Sequence, residues 1–154
     1  MNEVIIMIGV SMAGKSKYVS EIKSKGDYCI LNCDNIRMML TGEKDKFKAF
    51  KTENEFIVWD IFYNSLDLLL KEEKDIIIDN TNCNLEKLKP LISVLREYDV
   101  NLKFISIDTD IEICKSRLKA NEIHMKRIMD NMQEGKNEVI QYLISKGYCL
   151  KIIS

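Results

Sequence analysis

The sequence is poor in the residues that mark secreted, zinc-binding or membrane-spanning chains. It has one histidine, one proline and five cysteines, and no C-x-x-C pair. A zinc centre or a disulfide framework is therefore not expected, because each needs grouped cysteine or histidine residues. No apolar run approaches the roughly 20 residues of a membrane span. The first residues have no basic n-region and no cleavage site, so no signal peptide is expected. We expect a cytoplasmic protein with reduced thiols and no membrane partner.

An excess of charge of one sign is also absent. Lysine and arginine number 23 against 24 aspartate and glutamate residues, for a net charge of −1. Any contact with nucleic acid must then come from a local cluster. Residues 44–51 interleave lysines with Phe47 and Phe50, a pattern able to contact a nucleic-acid strand. The acidic residues among them favour an ordinary exposed loop instead.

Short apolar runs alternate with amphipathic stretches, which indicates β-α-β units around a parallel sheet in one α/β domain over residues 1–154. Strands are predicted at residues 4–8, 29–31, 76–78, 102–107 and 148–152. Helices are predicted at residues 15–25, 35–40, 53–71, 85–98, 108–118, 122–132 and 136–146, with a kink expected near Pro90. Residues 41–51 are predicted as a loop or partial helix, and Trp59 as a core residue.

Residues 9–16 read G-V-S-M-A-G-K-S and match the phosphate-binding pattern G-x-x-x-x-G-K-S. The segment follows a predicted strand and opens a predicted helix, which is the context that this motif requires. Its amides would bind phosphates, Lys15 would reach the β- and γ-phosphates, and the Ser16 hydroxyl would ligate Mg²⁺. The motif predicts a nucleoside triphosphate site at Gly9, Ser11, Met12, Ala13, Gly14, Lys15, Ser16 and Lys17.

Asp34 and Arg37 follow the second predicted strand, at the sheet edge where ligands of open parallel sheets gather. Asp34 is placed to accept the proton of an attacking hydroxyl as a general base. Arg37 lies one helical turn further on, and its forked guanidinium suits a phosphate on the acceptor. The alternative makes Asp34 a helix N-cap and Arg37 its ion-pair partner.

Asp79 ends the β-branched run of residues 76–78, which predicts a buried strand. An Asp at this place in a P-loop protein is the usual partner of the metal, so the predicted Mg²⁺ ligands are Ser16 and Asp79. Thr81 and Asn82 would contact the acceptor, or would form a polar turn before the next helix. Asn84 is predicted to be the N-cap of that helix.

A basic stretch follows the fourth predicted strand, where small P-loop kinases carry a lid. Arg117 is predicted to stabilise charge on the transferring phosphoryl group, as an arginine finger does. The usual meaning of such a charge run is a solvated helix face, which is expected for Lys115 and Lys126.

Together these residues resemble the polynucleotide 5′-hydroxyl kinases, both the small bacteriophage form and the kinase modules of repair enzymes. The resemblance covers about residues 4–132 and rests on the P-loop, on Asp34-x-x-Arg37, on residues 79–82 and on Arg117. It implies a three-layer P-loop fold of the adenylate-kinase-like type, with about five parallel strands between helices and a short lid after the fourth strand.

The resemblance also implies a reaction, transfer of the γ-phosphate of ATP to the 5′-hydroxyl of DNA or RNA, with Mg²⁺ bound at Ser16. Asp34 would be the base and Arg37 would hold the 3′-side phosphate of the acceptor. Lys15 and Arg117 would clamp the donor phosphates. The helix after the lid departs from the family's usual Val-Pro start, and Arg127 on it is a candidate acceptor contact.

Two other classes of function remain open from the sequence. A related P-loop phosphotransferase would act on a hydroxymethylated base in DNA, on a nucleoside or nucleotide, or on a small metabolite. A nucleotide-binding module without catalysis is the second class. Asp34 and Arg117 argue against it, because a binder needs neither a base nor a lid arginine.

Overall fold

A computed structural model describes all 154 residues of the chain. Its sheet has five parallel strands: β1 (Asn2–Ile8), β2 (Tyr28–Leu31), β3 (Asp75–Ile78), β4 (Val100–Ile107) and β5 (Leu150–Ile153). Their spatial order is β2-β3-β1-β4-β5. In this register Ile5 of β1 pairs with Ile77 of β3 and with Lys103 of β4. The strand that leads into the P-loop is therefore central, and the segments after β3 and β4 flank the loop.

Seven α-helices connect these strands: α1 (Lys15–Lys23), α2 (Cys33–Thr41), α3 (Lys46–Ala49), α4 (Glu55–Lys71), α5 (Leu85–Arg96), α6 (Ile111–Ser116) and α7 (Met125–Ser145). Side-chain caps begin four of them, including α2 and α5, where the Asn32 and Asn84 amide oxygens accept from the backbone N–H three residues on. The prediction for Asn84 is confirmed, and α5 continues through Pro90. No helix combines the length and the apolar character that a membrane crossing needs.

The alternating side chains of β1 separate the core into two layers. Val4, Ile6 and Ile8 are buried in a cluster with α4 and α5, whereas Ile5 and Met7 are buried in a cluster with α1 and α6. Fully burying one such side chain contributes roughly 1.5–3 kcal/mol. The predicted architecture, a parallel sheet between two helical layers, is confirmed.

The two helices predicted at residues 122–132 and 136–146 are wrong as separate elements, because α7 is one helix of 21 residues. Gly135 lies inside it, and a Cβ at this position would stand 1.9 Å from the Cys83 carbonyl oxygen. Glycine therefore permits close packing of α7 against the loop after β3. Met129 belongs to the cluster around α1, and Val139 to the cluster around α4, so α7 contributes to both layers.

Candidate active site

The P-loop connects the end of β1 to α1. Met12 and Gly14 have positive φ angles of 68° and 101°, so the loop turns through the left-handed region that glycine favours. Gly14 is the N-cap of α1, and no side chain caps the helix or adds an acid to its first turn. The first amides of α1 thus form the type of helix start that binds anions. This segment fits the triphosphate predicted from the sequence.

Neighbouring segments hold the P-loop in place. The Gly9 N–H donates to the Thr81 carbonyl oxygen at 3.0 Å. The Thr109 hydroxyl donates to the Ala13 carbonyl oxygen at 2.7 Å. Arg117 Nη1 donates to the Met12 carbonyl oxygen at 2.7 Å. The loops after β3 and β4 therefore fix the P-loop backbone, a role for Thr109 that no sequence pattern indicated.

Lys15 lies in the fold of the loop. Its Nζ donates to the carbonyl oxygens of Gly9 at 2.8 Å and Val10 at 3.2 Å. Burial lowers the pKa of Lys15, and negative groups that include Asp79 and Asp34 only partly offset this effect. Asp79 and Asp34 are therefore among the negative groups that act electrostatically on the P-loop lysine.

Lys46 of α3 is a second cation that acts on Lys15 and Asp79. Its positive charge contributes to the lowered pKa of Lys15, after the larger effect of burial. The same charge favours the ionised form of Asp79. From the sequence, an ordinary exposed loop is favoured for residues 44–51 over a nucleic-acid contact. Lys46 thus contributes positive charge to the surroundings of Lys15 and Asp79.

Asp79 follows β3 and is almost fully buried. Its backbone N–H donates to the Leu31 carbonyl oxygen at 2.8 Å, and Asn32 Nδ2 donates to its carboxylate at 3.4 Å. Burial raises the pKa of Asp79, whereas the charge of Lys15 opposes that rise. A buried carboxylate is a suitable ligand for Mg²⁺, which prefers oxygen. Ser16 lies exposed in the first turn of α1.

The polar residues after Asp79 connect three strand ends. The Asn80 Oδ1 accepts from the Cys33 N–H at 2.8 Å. Asn82 has a φ of 51° and donates its amide to the Met7 carbonyl oxygen at 2.6 Å. Thr81 offers its carbonyl to the P-loop, as described above. These contacts give Asn82 and Thr81 a structural role, and their contact with an acceptor stays a prediction.

Asp34 and Arg37 form one connected group with Glu55. Arg37 Nη1 lies 2.9 Å from Asp34 Oδ1. Arg37 Nε and Nη2 donate to Glu55 Oε2 and Oε1 at 2.9 and 2.7 Å, a bidentate pair. Asn32, not Asp34, is the N-cap of α2. The capping alternative for Asp34 is therefore wrong, whereas the ion pair with Arg37 is present.

Glu55 is the main residue of this region that sequence reasoning missed. It begins α4, and its partner Arg37 lies on α2. An acid in the first turn of a helix is common because it complements the helix dipole, so its position carries no specific signal. The Phe50 ring lies 5.3 Å from the Arg37 guanidinium and covers it. Arg37 is thus held by two carboxylates and one aromatic face.

The segment between β4 and α7 contains the predicted lid. Arg117 is the C-cap of α6 and reaches the P-loop backbone, and its contact with donor phosphates stays a prediction. Lys115 pairs with Asp130 at 2.6 Å and so ties α6 to α7. Arg127 lies exposed on α7. Lys136 of α7 is buried and pairs with Asp108, after β4, at 2.9 Å.

Comparison with known proteins places this site in a family context. A curated relative, the bifunctional polynucleotide phosphatase/kinase of Schizosaccharomyces pombe, is 27% identical over 123 residues. The match covers 79% of this chain but only 25% of the relative, so the chain spans about a quarter of that protein.

Two solved structures show the same fold. A chain of the Pnkp1/Rnl/Hen1 RNA repair complex aligns with a TM-score of 0.70 and 21% identity, covering 89% of this chain and 46% of that one. A chain of the PezAT chromosomal toxin-antitoxin system of Streptococcus pneumoniae aligns with a TM-score of 0.76 and 14% identity. That alignment covers 99% of this chain and 68% of the other.

The family assignment rests on a match over most of the chain. Residues 4–140 match the sequence family described as AAA domain, a span that contains the P-loop, Asp34, Asp79 and Arg117. The resemblance to P-loop polynucleotide kinases that these motifs predicted is confirmed by the curated relative, a polynucleotide phosphatase/kinase. The chain belongs to this family of P-loop AAA domains.

Proposed function

We propose that the protein is an ATP-dependent kinase that transfers the γ-phosphate of ATP to the 5′-hydroxyl of a polynucleotide. One observation carries the proposal. Arg37 pairs with Asp34, which lies on α2 directly after β2, and with Glu55 of α4. Asn32 at the start of α2 donates to Asp79, two residues before the Thr81 carbonyl that holds the P-loop. A carboxylate and an arginine are thereby joined next to a triphosphate site. A phosphotransferase needs such a base, and an acceptor that bears phosphate needs such a cation.

The donor half of the site would be formed by residues 9–17. Lys15 would bind the donor phosphates, and Arg117 would approach from the opposite side of the loop, which its bond to the Met12 carbonyl supports. Ser16 and Asp79 would hold Mg²⁺, which supplies charge neutralisation to the transferring phosphoryl group. The near-complete burial of Asp79 supports this assignment, because an ionised buried carboxylate needs a nearby cation.

Asp34 would remove the proton from the attacking 5′-hydroxyl. The 5′ oxygen then forms a bond to the γ-phosphorus, and the bond between that phosphorus and the β,γ-bridging oxygen breaks. ADP leaves with the electron pair of that bond. Arg37 would hold the phosphate on the 3′ side of the reacting nucleoside. The bidentate pair with Glu55 supports this role, because it fixes the guanidinium before an acceptor binds.

An acceptor panel tests the proposal. The protein is incubated with γ-labelled ATP and Mg²⁺ against a 5′-hydroxyl oligonucleotide, a 5′-phosphorylated one, a duplex with a hydroxymethylated base, and free nucleosides and nucleotides. We expect label on the 5′-hydroxyl oligonucleotide and none on its 5′-phosphorylated counterpart. Label confined to nucleosides, nucleotides or the modified base would replace the proposal with one of the related phosphotransferases.

Two substitutions test the assigned roles. Asp34→Asn should remove turnover and leave ATP binding nearly unchanged, because the base and the donor site are distinct. Near-wild-type kcat in this variant would reduce Asp34 to an ion-pair partner of Arg37. Arg37→Ala should weaken acceptors that carry a phosphate 3′ to the reacting nucleoside. Equal losses on a bare nucleoside would assign Arg37 to structure alone.

A further inference from the structure

The first two turns of α4 carry an open cleft beside Arg37. Its volume is about 400 Å³, and its lining residues are Glu55, Phe56, Trp59, Asp60, Tyr63 and Lys87. Phe56 is 83% exposed, although burial of its apolar ring would be favourable. Trp59, predicted as a core residue, packs against the core with only part of its side chain buried.

The Trp59 side chain packs against the core and also lines the cleft. Its ring packs edge-on against the buried Phe62, with ring centroids 5.3 Å apart. It also lies 6.2 Å from the Tyr63 ring. Lys87 of α5 places its Nζ 5.6 Å from the centroid of the Trp59 ring. The cleft thus combines held aromatic rings, a cation and two carboxylates.

We propose that this cleft binds a nucleobase of a single-stranded acceptor, the base of the nucleotide that follows the phosphate on Arg37. This inference rests on the proposed function. Aromatic side chains stack on any base, and carboxylates accept hydrogen bonds from the amino groups of cytosine, adenine and guanine. Lys87 would contact the next phosphate along the strand.

Continuity with the acceptor site favours this occupant. Asp34 contacts Arg37, Arg37 contacts Glu55, and Glu55 lines the cleft. A path of contacts therefore leads from the proposed general base, Asp34, past the proposed phosphate position at Arg37, to the cleft that Phe56 and Trp59 line. A strand with its 5′-hydroxyl at Asp34 would lay its second base here. A second copy of this chain on the exposed Phe56 is the competing occupant.

Trp59 is the only tryptophan of the chain, so its fluorescence reports on the cleft alone. The full chain is titrated with a 5′-hydroxyl oligodeoxyadenylate and with the same oligonucleotide lacking the second base. We expect the first to quench Trp59 fluorescence and the second to leave it nearly unchanged. Equal signals from both oligonucleotides would overturn the proposal.

Substitutions at Phe56 separate stacking from apolar contact. Phe56→Ala and Phe56→Leu should raise the KM of the oligonucleotide about tenfold, within the range measured for base–aromatic stacking, and Phe56→Tyr should restore it. The KM of a nucleoside 3′-monophosphate, which has no second base, should not change. Ile144→Ala on the exposed side of α7 is the matched control. Unchanged KM values in all Phe56 variants would refute the inference.

The two proposals fail in different ways. If the wild-type protein phosphorylates the intact and the abasic oligonucleotide with equal kcat/KM, and Trp59 is not quenched, the base site is wrong while the kinase stands. If no oligonucleotide is phosphorylated but adenine-dependent quenching persists, the kinase is wrong while the base site stands. If Trp59 fluorescence follows protein concentration and sedimentation shows a dimer that Phe56→Ala dissociates, a second copy covers the cleft and the inference falls.

Discussion

Replacing Gly135 with alanine sets helix propensity against tertiary packing. In an exposed helix interior this change stabilises a protein by about 0.8–1 kcal/mol. Here the new Cβ would lie 1.9 Å from the Cys83 carbonyl oxygen and 3.1 Å from its carbonyl carbon. Both atoms are backbone, so a side-chain rotation cannot relieve the clash. Either α7 or the loop after β3 must move by about 1 Å, at the cost that overpacking carries.

The expected result is a net loss of stability. Overpacking costs typically 1–3 kcal/mol, and a contact of 1.9 Å with a backbone atom belongs in the upper part of that range, about 2–3 kcal/mol, against a gain of about 1 kcal/mol from propensity. We therefore expect Gly135→Ala to lower the free energy of unfolding by about 1–2 kcal/mol, and the Tm by about 2–8 °C for a domain of this size. Urea titration followed by circular dichroism measures the first quantity. Asn137→Ala, exposed on the same helix, should change it by less than about 0.5 kcal/mol.

The same substitution should weaken ATP binding. Thr81, two residues before Cys83, accepts the Gly9 N–H with its carbonyl oxygen, so a displaced loop changes the start of the P-loop. Isothermal titration calorimetry should show a higher Kd for ATP in Gly135→Ala and an unchanged Kd in Asn137→Ala. A Gly135→Ala protein as stable as the wild type, or more stable, would refute the close contact between α7 and this loop.

Three further predictions concern the site. Because burial raises the pKa of Asp79, the folded state loses stability as pH rises from the ordinary carboxyl pKa through the raised one. Asp79→Asn should therefore unfold at higher urea than wild type at pH 7, by a margin that shrinks as pH falls through the raised pKa, while Mg²⁺-dependent ATP binding is lost. Glu55→Gln should lower the free energy of unfolding by about 1–3 kcal/mol and raise the oligonucleotide KM, because it weakens the bidentate pair with Arg37. Asp60→Asn, at an exposed position of the same helix, should change the free energy of unfolding by less than about 0.5 kcal/mol. Thr109→Val should raise the Kd for ATP in calorimetry, with a stability loss of about 0.5–1.5 kcal/mol from the missing bond to Ala13.

Most strands could be predicted because their signals are local. The apolar run at residues 76–78 has three β-branched side chains and ends at a charged residue, and β3 extends it by one residue only. The predicted helix boundary near Gly135 was wrong because the signal that decides it is a contact between distant segments. A glycine late in a helical pattern usually marks an end. Only the approach of Cys83, 52 positions earlier in the sequence, explains why this one lies inside α7.

The two halves of the site differ in how far the sequence could predict them. The donor half is contiguous, since residues 9–17 contain the loop, its lysine and the helix start together. The acceptor half depends on contacts between distant segments. Arg37 meets Glu55 across the gap between α2 and α4, and Lys46 acts on Lys15 from α3. No spacing rule links these pairs, because the turn between the helices determines which side chains meet.

Exposure separates the roles of the two carboxylates that act on Lys15. Asp79 is nearly inaccessible, and its burial favours the protonated form, so only a nearby cation keeps it ionised. A buried carboxylate such as Asp79 would suit a Mg²⁺ ion that enters with the nucleotide. Asp34 keeps 41% of its side chain exposed beside Arg37. A macromolecular acceptor can bring a hydroxyl only to a carboxylate that it can reach. In the proposed kinase, metal binding and proton removal would therefore fall to two different aspartates, one buried and the other left exposed after β2.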